Sequence, residues 1–83
     1  MSESTLIEEI TELLATAFEL DPEDITPEAR LVEDLGLDSI DAIDISARAR
    51  RITGRKMTDD EIRSLRTVGD VFRLVERMTT ERA

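Results

Sequence analysis

Apolar residues recur at helical spacing in three stretches of this chain, and a proline-broken connection separates the first stretch from the second. Leu6, Ile7, Ile10, Leu13, Leu14 and Ala17 fall three or four positions apart and form one broad stripe. The spacing predicts a helix over about 4–18. Ser4 or Thr5 stands where a cap belongs, and Thr5-Leu6-Ile7-Glu8 fits a capping box. Asp21-Pro22 then ends the pattern and Pro27 breaks it again, since proline lacks the N–H that a helix interior needs. Residues 19–38 therefore form a long connection. A connection of that length in a small domain is either functional or disordered. Leu20, Ile25, Leu31, Leu35 and Leu37 are spaced along it, and the expectation is that they pack across the bundle.

A second helix is predicted from Ser39 to about Thr53-Gly54, where glycine suits the C-terminal cap. Thr58-Asp59-Asp60-Glu61 repeats the capping-box pattern and opens a short helix ending near Leu65. Thr67 caps the last helix, whose stripe is Val68, Val71, Phe72, Val75 and Met78. The tail Thr79-Thr80-Glu81-Arg82-Ala83 has nothing to bury and is expected to fray. No stretch alternates in strand fashion and none repeats. The predicted fold is an all-α four-helix bundle, with three longer helices, one short one and a long first loop. It forms a single domain over 1–83, folded over about 4–78.

Composition bounds the chemistry. Eighty-three residues have room for one small core, and with Phe18 and Phe72 the only aromatics it must be built mostly from aliphatic side chains. The chain has no cysteine and no histidine. This removes disulfides, a thiol nucleophile, thiolate metal sites and the usual imidazole base, so the serines have no conventional activating partner. No apolar run spans a membrane and no signal segment opens the chain, so the expectation is a cytoplasmic protein without membrane insertion. Reactivity must then reside in something attached to the protein, or in its partners. The net charge is −9, and fourteen of the twenty Asp/Glu precede residue 46 together with one of the eleven Lys/Arg. Such an acidic half disfavours nucleic acid and favours basic protein surfaces. Solubility alone explains the count but explains the asymmetry less well.

At roughly 100° per residue the second helix shows two opposed stripes. Ala42, Ile45, Ala49 and Ile52 fall on the side assigned to the core. Ile40, Ile43 and Ala47 fall on nearly the opposite side, next to Ser39 and flanked by Asp41 and Asp44. Exposed apolar side chains ringed by charge mark a recognition surface. The alternative is that the long connection folds over Ile40 or Ile43. An Asp-Ser pair at a helix start is, taken alone, most often a cap.

The run Leu31-Val32-Glu33-Asp34-Leu35-Gly36-Leu37-Asp38-Ser39-Ile40-Asp41 resembles the attachment segment of acyl carrier proteins, and the resemblance extends from about Leu6 to about Met78. It implies a 4'-phosphopantetheine arm on Ser39, whose thiol holds an acyl group as a thioester. It also implies that Asp38 assists the phosphopantetheinyl transferase that installs the arm, through a magnesium ion. A phosphodiester on Ser39 would lie near the unpaired N–H groups and positive end of the helix. The further partners implied are acyltransferases, ketosynthases and other biosynthetic enzymes, met by a monomeric, non-catalytic carrier. Ile40, Asp41, Ile43, Asp44, Ala47, Arg50 and Arg51 would form the partner-binding surface. Family members can shelter cargo between the helices, which gives the small residues Ala42, Ser46 and Ala49 a second reading beside close helix approach.

The chain also departs from the family. Typical fatty-acid carriers are acidic along the later turns of this helix, where Arg50 and Arg51 stand here with Arg48 nearby. This suggests a specialised carrier with dedicated partners. Asp38-Ser39-Ile40-Asp41-Ala42-Ile43-Asp44 and Arg66-Thr67-Val68-Gly69-Asp70-Val71 look most like carriers of bacterial aryl-polyene and related polyketide-like pathways. Two other readings stay open: an aminoacyl or peptidyl carrier, against which Leu35-Gly36-Leu37-Asp38 argues, and an unmodified helical adaptor that binds through Ile40 and Ile43. Asp21-Pro22-Glu23-Asp24 and Glu33-Asp34 lack the spacing of a calcium loop and read as solvated surface, so no metal site is expected. The basic run from Arg48 to Lys56 suits a helix C-terminus.

Overall fold

The computed structural model describes residues 3–82, and side chains over 5–80. Four helices make up the fold: α1 (Glu3–Phe18), α2 (Ser39–Thr53), α3 (Asp59–Arg63) and α4 (Val68–Arg82), with a 3-10 turn over Pro22–Asp24 in the first connection. α4 packs against both α1 and α2. No strand forms among the described residues, and the single bridge between Arg30 and Thr67 ties the connection to the start of α4.

The core is aliphatic, as the composition requires. Leu14, Ile45, Val68, Val71, Val75 and Met78 are essentially fully buried, and the α4 stripe gains Leu74 beside the five residues read from the sequence. Burying a side chain of this kind stabilises the fold by about 1.5–3 kcal/mol. The connection does pack across the bundle. Ile25, Leu31 and Leu37 are buried with Ala29, and Leu20 and Leu35 are half-buried against them. Backbone bonds hold it there: Leu31 N–H donates to Arg66 O at 2.9 Å, Val68 N–H to Ala29 O at 2.9 Å, and Gly69 N–H to Pro27 O at 3.0 Å. Gly69 is required by this approach, because a Cβ there would lie 3.0 Å from Pro27 O.

Two boundaries differ from those read in the sequence, and a third agrees with it for a reason the sequence did not show. α1 already begins at Glu3, so Ser4 and Thr5 stand inside its first turn rather than capping it. It ends at Phe18, as the stripe predicted, because Glu19 adopts the left-handed conformation (φ 54°) and Leu20 N–H closes back on Ala15 O at 3.0 Å. Glycine is the usual residue there, so the left-handed turn at Glu19 was not visible although the stop at 18 was. α4 continues through Thr79 and Thr80, whose hydroxyls donate to Glu76 O, as far as Arg82. The stretch expected to fray from residue 79 is thus helical over 79–82; Ala83 lies outside the described residues.

Candidate attachment site at the start of α2

α2 begins at Ser39 because Asp38 caps it. The Asp38 carboxylate accepts from Ile40 N–H and Asp41 N–H, both at 3.0 Å, while Asp41 Oδ2 accepts from Asp38 N–H at 3.0 Å. The pair forms a reciprocal capping box. The cap corrects one expectation. Two of the N–H groups that a phosphate on Ser39 was expected to meet, those of Ile40 and Asp41, are already satisfied by Asp38, and Ala42 N–H goes to Asp38 O. Two carboxylates flank the position, so a phosphodiester there would extend outward rather than settle on the helix end. Asp41 is likewise a structural cap and not only a surface charge.

The hydroxyl of Ser39 is on an exposed residue and makes no hydrogen bond among the described residues. The other described serines differ. Ser46 is buried and accepts from Met57 N–H, and Ser64 donates to Glu61 O. Beside Ser39 a cavity of about 210 Å³ opens between α2, α3 and the end of the connection, walled by Leu31, Leu37, Ala42, Ile45, Ile62 and Leu65. The three small residues of α2 therefore have three uses. Ala42 leaves room in this cavity, Ser46 receives the α2–α3 loop, and Ala49 is buried in the core.

The outward stripe of α2 stays uncovered. Ile40 is 73% exposed and Ile43 59%, so the connection folds over neither, and Ala47 is exposed beyond them. Val32, at 62% exposed, stands beside the same cavity and extends the apolar surface around Ser39. The sequence reading missed it, although an aliphatic residue beside Glu33-Asp34 was a visible signal. Ile62 and Leu65 were also missed as cavity walls, since only the tertiary fold brings α3 beside Ser39. Of the flanking charges, Asp44 is paired with Arg48 at 3.2 Å, whereas Arg50 and Arg51 are exposed and hold no ion-pair partner among the described residues.

α3 and the loop before it are held by one carboxylate. Glu61 accepts two hydrogen bonds from the Arg55 guanidinium and one from Arg77, each at 3.0 Å, and one from Thr58 N–H at 2.8 Å. Arg55 above all, with the Thr58 N–H and Arg77, lowers the Glu61 carboxyl to about 2. At the start of α4, burial works against the charge of Asp70, but the Thr67 and Arg66 N–H groups and the Arg73 guanidinium outweigh it and hold this carboxyl below its ordinary value. No group of acidic side chains among the described residues is arranged to hold a metal ion, and no described helix is long and apolar enough to cross a membrane.

Comparison with known proteins agrees with this geometry. The profile of the phosphopantetheine attachment site family matches residues 8–75. Acyl carrier protein 2 of Ralstonia nicotianae is 42% identical over 78 residues, covering 94% of this chain and 96% of that protein. The meromycolate extension acyl carrier protein of Mycobacterium tuberculosis is 31% identical over 81 residues, covering 98% of this chain and 70% of its own length. Among solved structures, the thermally stable acyl carrier protein of Enterococcus faecalis superposes with a TM-score of 0.72 over 96% of this chain and 98% of that one; at 18% identity this likeness concerns the fold. The chain thus belongs to the acyl carrier protein family, whose phosphopantetheine arm bears acyl groups in fatty-acid or related biosynthesis.

Proposed function

We propose that Ser39 is the attachment point of the 4'-phosphopantetheine arm, and that this protein is a non-catalytic carrier serving a specialised pathway in the cytoplasm. The observation that carries the reading is the unbonded, exposed Ser39 hydroxyl at the first turn of α2, opening beside an apolar cavity. The residues fit the group: the hydroxyl is accessible, the first turn is rigidly capped, and apolar surface lies on both sides. The arm supplies a thiol that holds the acyl group as a thioester, which a chain without cysteine cannot do itself. In the installing reaction the Ser39 oxygen attacks the phosphorus of coenzyme A that bears the pantetheine. The phosphoanhydride bond breaks, adenosine 3',5'-bisphosphate leaves, and the serine proton passes to a base of the transferase, since this chain offers no histidine. Asp38 has one oxygen engaged in capping and its other oxygen turned to no described donor, which leaves it able to meet a magnesium ion brought with coenzyme A. Acyltransferases and ketosynthases would then approach over Ile40, Ile43, Ala47 and their flanking charges.

The cavity beside Ser39 supports a second function of the site, shelter for the proximal part of an acyl chain. Its walls are mostly aliphatic, with Asp38 and Arg63 also lining it, and it opens where an arm on Ser39 would begin. The test of the attachment point is intact mass after incubation with coenzyme A, magnesium and a promiscuous transferase. One phosphopantetheine is expected on the wild type and none on Ser39→Ala. Continued labelling of Ser39→Ala would place the arm elsewhere, and no labelling of the wild type would favour an unmodified adaptor.

A further inference from the structure

The outward face of α2 changes sign along its length. Its first half carries the exposed Ile40 and Ile43 flanked by Asp44, with the acidic Asp38–Asp41 cap at the end of the strip. Its last turn carries Arg50 and Arg51. On a helical wheel Arg50 and Arg51 flank the Ala47 position, so they continue the Ile40–Ile43–Ala47 stripe rather than lying to one side of it. A rise of about 1.5 Å per residue puts Arg51 about 10 Å beyond Asp44 along the axis. Arg48 cancels much of Asp44, whereas Arg50 and Arg51 have no ion-pair partner among the described residues. The end of α2 does not depend on them for its cap: Gly54 is left-handed, at φ 82°, and returns its N–H to Arg50 O at 2.8 Å. Ala47, small and exposed between the two ends, lets a partner surface come close at the middle of the stripe.

We propose that this face is a two-signed docking strip, and that its partner is a protein surface with apolar side chains facing Ile40 and Ile43 and carboxylates facing Arg50 and Arg51. Charge complementarity is the argument. A surface that is basic throughout meets two unpaired guanidinium groups at the far end of the strip, and like charges held opposite each other reject the wrong partner. A partner with carboxylates at that end gains a planar, bidentate-capable match for arginine. The proposal deepens the carrier reading and rests on it for the class of partner.

The probe is a malonyl-transferring acyltransferase whose carrier-facing surface is basic, together with the same enzyme bearing two Glu substitutions in the cations nearest the far end of α2. Dissociation constants are measured for both enzymes with the wild-type chain and with Arg50→Glu/Arg51→Glu, each with and without the arm. Binding of the unmodified chain is then read independently of whether Ser39 is loaded, and the mass of the loaded chain reports separately on the attachment reading. The preference for the Glu-bearing over the basic enzyme is expected to fall by about tenfold or more when the arginines are reversed. This coupling should shrink at high salt, because rim charges are screened. An unchanged preference would overturn the proposal. So would a double variant that melts earlier but binds both enzymes as the wild type does, since the arginines would then serve only the helix terminus.

Discussion

Glu61 and Ile40 show two opposite uses of surface in one small protein. Glu61 gathers four hydrogen bonds from Arg55, Arg77 and Thr58, and so fastens the α2–α3 loop and α3 to α4. Ile40 lies on the first turn of α2, is 73% exposed, and contributes little to the core. The α3–α4 side is stapled at each step: Ser46 receives Met57, Thr58 and Glu61 cap each other, and Thr67 and Asp70 do the same at the start of α4. Beyond the Asp38–Asp41 cap at its start, the outer face of α2 has, among the described residues, only the ion pair between Asp44 and Arg48. The stapled side fixes one wall of the cavity, and the bare side is the face proposed above for recognition by partner proteins. A residue's polarity alone would have assigned these roles the other way round.

The comparison can be broken most forcefully at the clamp. Glu61→Gln should cost about 2 kcal/mol, since one neutral amide cannot satisfy two guanidinium groups. The loss should appear in thermal and urea melts without loss of helix content. The sign with pH follows from the lowered carboxyl. A depressed folded-state value gives stability that is complete above the ordinary carboxylate range near 4.5 and is lost as pH falls toward about 2. The stability difference between wild type and Glu61→Gln should therefore narrow across that window. A constant difference would show that packing, not charge, holds α3.

Gly69→Ala should cost about 1 kcal/mol, because the new methyl group presses on Pro27 O and loosens the connection from α4. Two-dimensional NMR should place the shift changes over residues 25–31. Glu19→Gly should stabilise the protein by about 0.5 kcal/mol, as glycine takes the left-handed conformation without strain. Ile43→Ser should change stability least, by less than about 0.5 kcal/mol, while weakening turnover by partner enzymes. A large loss of stability in Ile43→Ser would mean that the outward face is structural after all.

Most of the architecture was legible because each strong signal was local. The Thr58–Glu61 box and the Gly54 cap depend on residues a few positions apart, and they formed where the pattern put them. The two stripes of α2 were equally readable, since periodicity alone separates Ile40 and Ile43 from Ile45 and Ala49. What stayed hidden needed either an unusual residue or a distant neighbour. Glu19 ends α1 in a conformation that the sequence does not advertise. Asp38 as a cap was one of the readings left open by its residue type, but that its carboxylate takes both the Ile40 and Asp41 N–H groups from a phosphate depends on side-chain geometry. Ile62 and Leu65 become walls beside Ser39 only when α3 is clamped through Glu61, a contact that links residue 61 to residue 77.

The claim that the outer face of α2 serves recognition while the α3–α4 side serves stability is tested most directly by one paired measurement. The rate at which a phosphopantetheinyl transferase loads Ser39 should be compared in Ile40→Ser and Glu61→Gln, at a temperature where both are folded, beside their melting temperatures. Ile40→Ser is expected to load about tenfold more slowly with its melting temperature unchanged, and Glu61→Gln to melt earlier while loading at the wild-type rate. An Ile40→Ser protein that loads normally, or that loses stability as Glu61→Gln does, would contradict the division.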